Sequence, residues 1–429
     1  MNRRSILMGS AAASAGAALL SGLNAAHAQD TAPIPIGAAL PMSGASAADG
    51  IEFQNGLMLA VEEINAMGGI LGRPLELHVE DTGDMNAEVV SQAMQRLIDK
   101  YETPVIVNGY NFGTSMIEMD VAADNDVIFI HYNTLISHNT KFLTDPERYY
   151  GSFQGDPPEF YYGPGLLTYL DGLIESGQWT PENRKIALVA SSAEYAIVIA
   201  NAIRDFAPDH GWEISLYETV GFPNNQWGPT LAQLRQDPPA VIAVTHFLPQ
   251  DLAAFMTQFI PQPTNSLVYM QYGPSLPAFK EIGGDAVKGV LYSTVVGCLP
   301  DDFSLAFRTT YREKYGENAA YLTGSQTYDG LWKWALSAAI AGGPGAPYDK
   351  AQAQKVSAAM NLLVYRGVNG ICNFDPQGQS AICYPAQTSD ASLGMPHQFL
   401  QHQDLTMDPV MVAPPAYAKG KFTMPPWMS

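Results

Sequence analysis

Short apolar runs alternate with amphipathic segments along most of this 429-residue chain. Ile34 to Leu40 reads as a strand, and Gly50 to Met67 as a helix with Leu57, Leu59, Ala60, Val61 and Ile64 apolar. The rhythm continues with strand Leu75 to Glu80, helix Ala87 to Lys100, strand Pro104 to Asn108, helix Thr114 to Ala123 and strand Val127 to Tyr132. A segment rich in Pro, Gly and Tyr, Asp145 to Gly165, interrupts it, and its middle, Gly151 to Pro164, is the natural lobe boundary. The alternation then restarts with helix Leu166 to Ser176, strand Lys185 to Ala190, helix Tyr195 to Phe206, strand Ile214 to Val220 and helix Pro229 to Arg235. Strand Val241 to Thr245, helix Gln250 to Phe259, strand Val268 to Gln271 and helix Leu276 to Ile282 complete the second run. Four- to eight-residue apolar runs separated by helical periods predict parallel sheets with crossover helices. Beyond a strand-like Gly289 to Val296 come helices Phe303 to Tyr315, Thr323 to Ala341 and Ala351 to Leu362, a hairpin, and a Pro- and Met-rich tail with one strand at Gln398 to Gln401.

The amino terminus changes where this protein is expected to work. Arg3 and Arg4 precede a small-residue apolar run, Ser10 to Leu23, and Ala26-His27-Ala28 is a small-x-small cleavage site. That is the layout of an export signal, cleaved after Ala28. The run is too short and too rich in Ala and Gly to span a bilayer. The Asn2 to Leu7 segment resembles a twin-arginine signal. The expected compartment is a bacterial periplasm. The formal charge of -20 disfavours nucleic acid and anionic lipid as partners. A mature chain of this size exceeds what one core serves, so two lobes are expected.

Only three cysteines occur, and two flank a turn in GVNGICNFDPQGQSAICYP. With Gln377-Gly378 at the tip, Phe374 faces Ala381, Asn373 faces Ile382 and Cys372 faces Cys383. That facing, in an oxidising compartment, predicts a Cys372–Cys383 disulfide that pins the hairpin. Cys298 is left as a buried thiol.

In open parallel sheets, ligands lie beyond the carboxyl ends of the strands. The segments there are LPMSGAS, NGYNFGTS, HYNT, SSAEY, THFLPQ and QYGPS. Small hydroxyl and Gly residues at helix starts (Ser43, Gly44, Gly113, Thr114, Ser115) suit anions or carbonyls, although each hydroxyl alone fits a helix N-cap. Aromatic residues recur with them: Tyr110, Phe112, Tyr132, Tyr195, Phe247 and Tyr272. Asn133 and Thr134 complete the candidate set. The chain has no nucleophile elbow, HExxH, Cys-x-x-Cys or dinucleotide fingerprint. His397 and His402, five apart around Phe399 and Leu400, read as tail packing, and Glu80 to Glu88 lacks a calcium-loop pattern. The reading is a binder with no cofactor and no metal, not an enzyme.

The segment from Ile34 to Ile98 carries Gly37 to Gly44 (strand-G-x-x-x-P-x-S-G), Asn55 to Gly72 (N-G-x-x-x-A-V-x-x-I-N-x-x-G-G-I-x-G) and Leu75 to Asp84. It resembles periplasmic binding proteins of the leucine/isoleucine/valine type, which serve ABC importers. KIALVASSAEYA, SQTYDGLWKWALSAAI and NFDPQGQ follow in the matching order. The resemblance implies an α/β fold of two doubly wound parallel-sheet lobes joined by three crossing segments, a type I periplasmic binding protein. On it, 29–152 plus 297–362 form the first lobe and 153–296 plus 363–429 the second. The crossings fall near Gly151 to Phe153, Val295 to Gly297 and Leu363 to Arg366. It further implies a small-molecule ligand, ABC permease subunits as partners, and a monomer. The family's hydroxyl grip on an amino-acid carboxylate matches Gly113 and Thr114, then Asn133-Thr134-Leu135, where Leu135 replaces a usual Thr. Phe247 matches a usual Tyr, and Tyr272-Gly273-Pro274 lacks the usual acid. These departures disfavour a standard α-amino acid and leave an amide, an aromatic or a quaternary amine. A sensory protein of the same fold is the alternative.

Overall fold

The computed structural model describes residues 32–428, so the export-signal reading lies outside the described residues. Strands β1 (Ile34–Leu40), β2 (Leu75–Asp81), β3 (Val105–Val107), β4 (Ile128–His131) and β5 (Ser152–Gln154) form a parallel sheet in the order β2-β1-β3-β4-β5. Strands β6 (Lys185–Ser191), β7 (Glu213–Val220), β8 (Val241–Thr245), β9 (Leu267–Gln271) and β10 (Leu291–Thr294) repeat that winding as β10-β9-β8-β6-β7. The central strands of both sheets are buried on both faces, which is why they read as unbroken apolar runs. Antiparallel β15 (Gln398–Gln401) and β16 (Val410–Ala413) extend the second sheet beyond β10. The predicted strand at Gln398 to Gln401 is thus present, as a sheet component.

Helix Ala47–Ala66 packs on the first sheet through Phe53, Leu57, Ala60 and Ile64, which recur every three to four residues. Helix Tyr321–Ile340 crosses it so closely that a Cβ on Gly56 would sit 1.9 Å from the Gly324 carbonyl oxygen. Glycine at 56 is therefore a packing requirement. Helix Ile136–Thr144 follows β4 in a stretch left unassigned from the sequence, because only His138 and Phe142 give it a buried face.

The chain leaves the first sheet after Gln154 and enters helix Tyr162–Glu175 on the second, and returns from β10 through 295–301 to helix Asp302–Tyr315. The hairpin departs from expectation. Strands β11 (Tyr365–Gly367) and β12 (Gly370–Cys372) pair with each other, and the segment after them docks on the open edge of β5. There Gln154 donates its N–H to the Gln379 carbonyl at 2.9 Å, and Ala381 donates to the Gln154 carbonyl at 3.0 Å. The Phe153 and Phe374 rings lie 4.8 Å apart. An uncovered edge strand presents unpaired backbone groups, and this hairpin satisfies them. Residues 365–381 therefore sit on the first sheet's side, not in the second lobe. The return to the second sheet runs through 382–397, not at Leu363 to Arg366. There β13 (Cys383–Tyr384) pairs with β14 (Met395–Pro396).

The same rearrangement corrects the disulfide. Phe374 does bridge Ala381, and Ile382 donates to the Asn373 carbonyl at 2.9 Å. Beyond that the strands part: Cys372 pairs opposite Tyr365, with its Sγ 3.9 Å from the Gly155 carbonyl, and Cys383 pairs opposite Met395. All three cysteines are free thiols. Thiol titration of the denatured, unreduced mature protein is expected to read three groups; a reading of one would restore the pair.

Candidate functional site

At the carboxyl ends of both sheets, where the strand order reverses, side chains from the two lobes enclose about 630 Å³ of empty space, part of it open to solvent. On the first-lobe side a buried amide–carboxyl cluster shapes the loop after β3. Asn108 accepts the Ala39 N–H at 2.8 Å, and the Asn108 and Asn111 side-chain amides donate to Glu118 Oε1 at 2.6 and 2.7 Å. Asn111 also donates its N–H to Asn133 Oδ1 at 3.0 Å, coupling this loop to the one after β4. Burial pushes the Glu118 carboxyl up to about 7, against those amide donors. The cluster fixes Tyr110, Phe112 and Gly113 at the rim. Gly113 has φ +84° and open space where a Cβ would stand.

After β4, Leu135 donates its N–H to Gln154 Oε1 at 2.9 Å and Ile136 to Glu159 Oε2 at 2.6 Å. Thr134, itself at φ +54°, donates its hydroxyl to Asp156 Oδ2. On the second-lobe side, Glu194 and Tyr195 begin helix Glu194–Phe206, Phe247 follows β8 and Tyr272 follows β9. The Phe247 ring packs 5.6 Å from Tyr195 and 5.0 Å from Phe222, and reaches across to Phe112 at 6.0 Å. Tyr162, in the first crossing, accepts the Val295 N–H at 3.1 Å and so ties two crossings together.

A second inter-lobe contact closes the mouth. Tyr110 donates to Asp49 Oδ2, and the Tyr272 hydroxyl lies 3.5 Å from Asp49 Oδ1 and 3.3 Å from Thr323 Oγ1. Burial raises Asp49 to about 6, opposed by the Tyr110 and Thr323 hydroxyls.

Of the residues singled out from the sequence, Tyr110, Phe112, Tyr132, Asn133, Thr134, Tyr195, Phe247 and Tyr272 line this one cavity. Ser43 and Thr114 do not. The Ser43 hydroxyl donates to Asp81 at 2.8 Å, and the Thr114 hydroxyl donates to the Asn111 carbonyl at 2.9 Å within its own turn. Thr114 thus supports its own turn, as its residue type often does, whereas Ser43 ties the loop after β1 to the end of β2. Leu135 and Glu194 also line the cavity, as do Tyr162, Val296 and Gln326, which the sequence did not single out. Tyr162 lay in the Pro-, Gly- and Tyr-rich interruption between the lobes, and Gln326 in the predicted helix Thr323 to Ala341. Among the described residues no cluster of His, Cys, Asp and Glu could hold a metal, and no helix is long and apolar enough to cross a membrane.

Asp156 is fully buried behind Thr134 with Oδ1 unpartnered, and burial pushes it up to about 8 against the Thr134 hydroxyl. Its folded value thus lies above its unfolded one. The stability it permits is intact below about pH 4 and falls as pH rises toward 8, because only the unfolded chain ionises freely there. Asp156→Asn removes the titration while keeping the shape. Relative to the parent, its melting temperature is expected to be higher by at least about 3 °C more near pH 8 than near pH 5. Equal offsets at both pH values in thermal unfolding would exclude this.

The family profile described as periplasmic binding protein matches residues 33–389. A Leu/Ile/Val-binding protein homolog 2 of Brucella abortus is 24% identical over 359 residues, covering 82% of this chain and 88% of its own length. A crystal structure assigned to a branched-chain amino acid ABC transporter of Silicibacter pomeroyi is 50% identical, with TM-score 0.88, covering 92% of this chain and 100% of that one. A solute binding protein of an R. palustris ABC transporter, solved in complex with benzoate, shares the fold at 15% identity and TM-score 0.68, covering 89% of this chain and 96% of that one.

Proposed function

This chain belongs to the periplasmic binding protein family, and from that premise we propose that it captures a small organic solute between its two lobes and delivers it to an ABC permease. The observation that carries the reading is convergence: loops after β3, β4, β6, β8 and β9, with both early crossings, supply side chains to one cavity. A ligand touching both walls stabilises the state in which Tyr272 meets Asp49 and Thr323, so occupancy shifts the open–closed equilibrium. The permease then has one shape to recognise.

The ligand is not a standard α-amino acid. Leu135 lines the wall where the amino-acid binders place a Thr, and the Thr114 hydroxyl is turned to the Asn111 carbonyl, which depletes the hydroxyl grip on a carboxylate. An amide, an aromatic or a quaternary amine remains, consistent with the seven aromatic residues of the lining.

Native mass spectrometry of the purified mature protein, followed by denaturation, tests the reading. The expected result is one small molecule per chain, released chemically unchanged, whose return tightens the protein in calorimetry. An empty protein whose unfolding responds to no amino acid, amide, betaine or aromatic acid would overturn it.

A further inference from the structure

We propose that the solute held in this cleft is a cation, its charged end enclosed by Tyr110, Phe112, Tyr132, Tyr195, Phe247 and Tyr272. The proposal rests on the solute-binding reading above and deepens it.

The first argument counts hydrogens. A hydroxyl has a single proton to donate. Tyr110 directs its proton to Asp49, and Thr134 directs its proton to Asp156. The Tyr272 hydroxyl sits between Asp49 and Thr323, whose own hydroxyl also reaches Asp49 Oδ1 at 3.5 Å. Toward the cavity, Tyr110 and Thr134 therefore present oxygen lone pairs. Asn133 has its Oδ1 taken by Asn111, while its Nδ2 is buried without a hydrogen-bond partner. At Tyr110 and Thr134 the wall accepts hydrogen bonds, and its remaining polar donors, the Asn133 and Gln326 amides among them, are neutral.

The second argument is charge. No Lys, Arg or His lines the cavity, while Glu194 does. Behind the wall stand Asp156 and Glu159, both fully buried with their carboxyls pushed toward the neutral form, and the half-buried Asp49. Asp156 Oδ1 and Glu159 Oε1 have no hydrogen-bond partner. Glu159 also acts electrostatically on Tyr195 and feels Glu194. An anion entering here meets the Glu194 carboxylate and no cationic side chain. A cation meets lone pairs, a carboxylate and ring faces whose quadrupoles attract it.

The test uses isosteres that differ in charge alone: choline and 3,3-dimethyl-1-butanol, with benzoate and leucine as anionic and zwitterionic arms, titrated calorimetrically into the mature protein stripped of any occupant. The expected result is choline binding at least about tenfold more tightly than the neutral alcohol, with no binding of benzoate or leucine. Glu194→Gln is expected to weaken choline by a larger factor than it weakens the alcohol. Equal binding of the two isosteres, or preferential binding of benzoate or leucine, overturns the charge inference and leaves solute binding standing. So does an occupant, released on denaturation, that carries no positive charge at neutral pH. Binding of none of the four, in a protein that also carries no occupant, counts against solute binding in this cleft, and the charge inference falls with it.

Discussion

Phe247→Ala is expected to weaken ligand binding about 100-fold while moving the melting temperature by no more than about 3 °C. Phe247 sits after β8 and is only partly buried, so truncating it leaves the second core largely intact. Its ring is nevertheless central to the cleft. It contacts Tyr195 and Phe222 on its own side and Phe112 across the gap. Removing it opens the wall to water and removes a contact that forms only when the lobes approach. Both losses fall on the bound state, and a central ring in a desolvated pocket is where binding energy concentrates. Tyr132→Ala makes a useful contrast. That ring is nearly fully buried and packs against Gly155 and Gly330, so it is expected to cost both affinity and stability. Calorimetry with the retained ligand, alongside thermal unfolding, separates the two. Unchanged affinity in Phe247→Ala would remove the aromatic cleft as the binding site.

The second large effect lies away from the ligand. Asp329, in helix Tyr321–Ile340, accepts the backbone N–H of Val368 at 2.8 Å and of Asn369 at 2.9 Å, and the Asn369 side-chain amide at 2.8 Å. Asn369 in turn accepts the Gly297 N–H at 2.6 Å, and Val368 accepts the Leu299 N–H at 3.0 Å. One carboxyl thus organises the turn that runs beside the second crossing. Gly367 is needed for the approach, since a Cβ there would lie 2.3 Å from the Asp329 carboxyl. Asp329→Ala leaves two buried backbone donors without an acceptor, while the Asn369 amide keeps only the Ser325 carbonyl, at roughly 3 kcal/mol or more. Thermal unfolding is expected to show a drop of at least about 5 °C. A loss under about 2 °C would mean that solvent or a neighbouring group replaces the carboxyl, and that this anchor is dispensable.

Much of the site was legible before the fold was known because strand ends in parallel sheets have a fixed meaning. The aromatic residues after β3, β4, β6, β8 and β9 could be picked out by their place relative to apolar runs, and they converge. Ser43 and Thr114 had the same local signature, but Ser43 bonds Asp81 at the end of β2 and Thr114 faces its own turn. Nothing in a hydroxyl's neighbours along the chain distinguishes a ligand contact from a cap. Tyr162 and Gln326 reach the cavity from a crossing and from a helix, positions that carry no periodic signal of their own.

The sequence by itself determined the alternation of elements, their near-correct boundaries and hence the doubly wound character of both sheets, because periods of two and 3.6 are local properties of the chain. It also determined the family, through a long run of motifs near the amino terminus. Only the tertiary structure decided that the hairpin after Gly370 covers the edge of β5, that Cys372 and Cys383 part company, and that the tail completes the second sheet. Those outcomes depend on which unpaired backbone edge lies nearest in space. Residues separated by over two hundred positions, such as Gln154 and Gln379, settle that through hydrogen bonds no local pattern encodes.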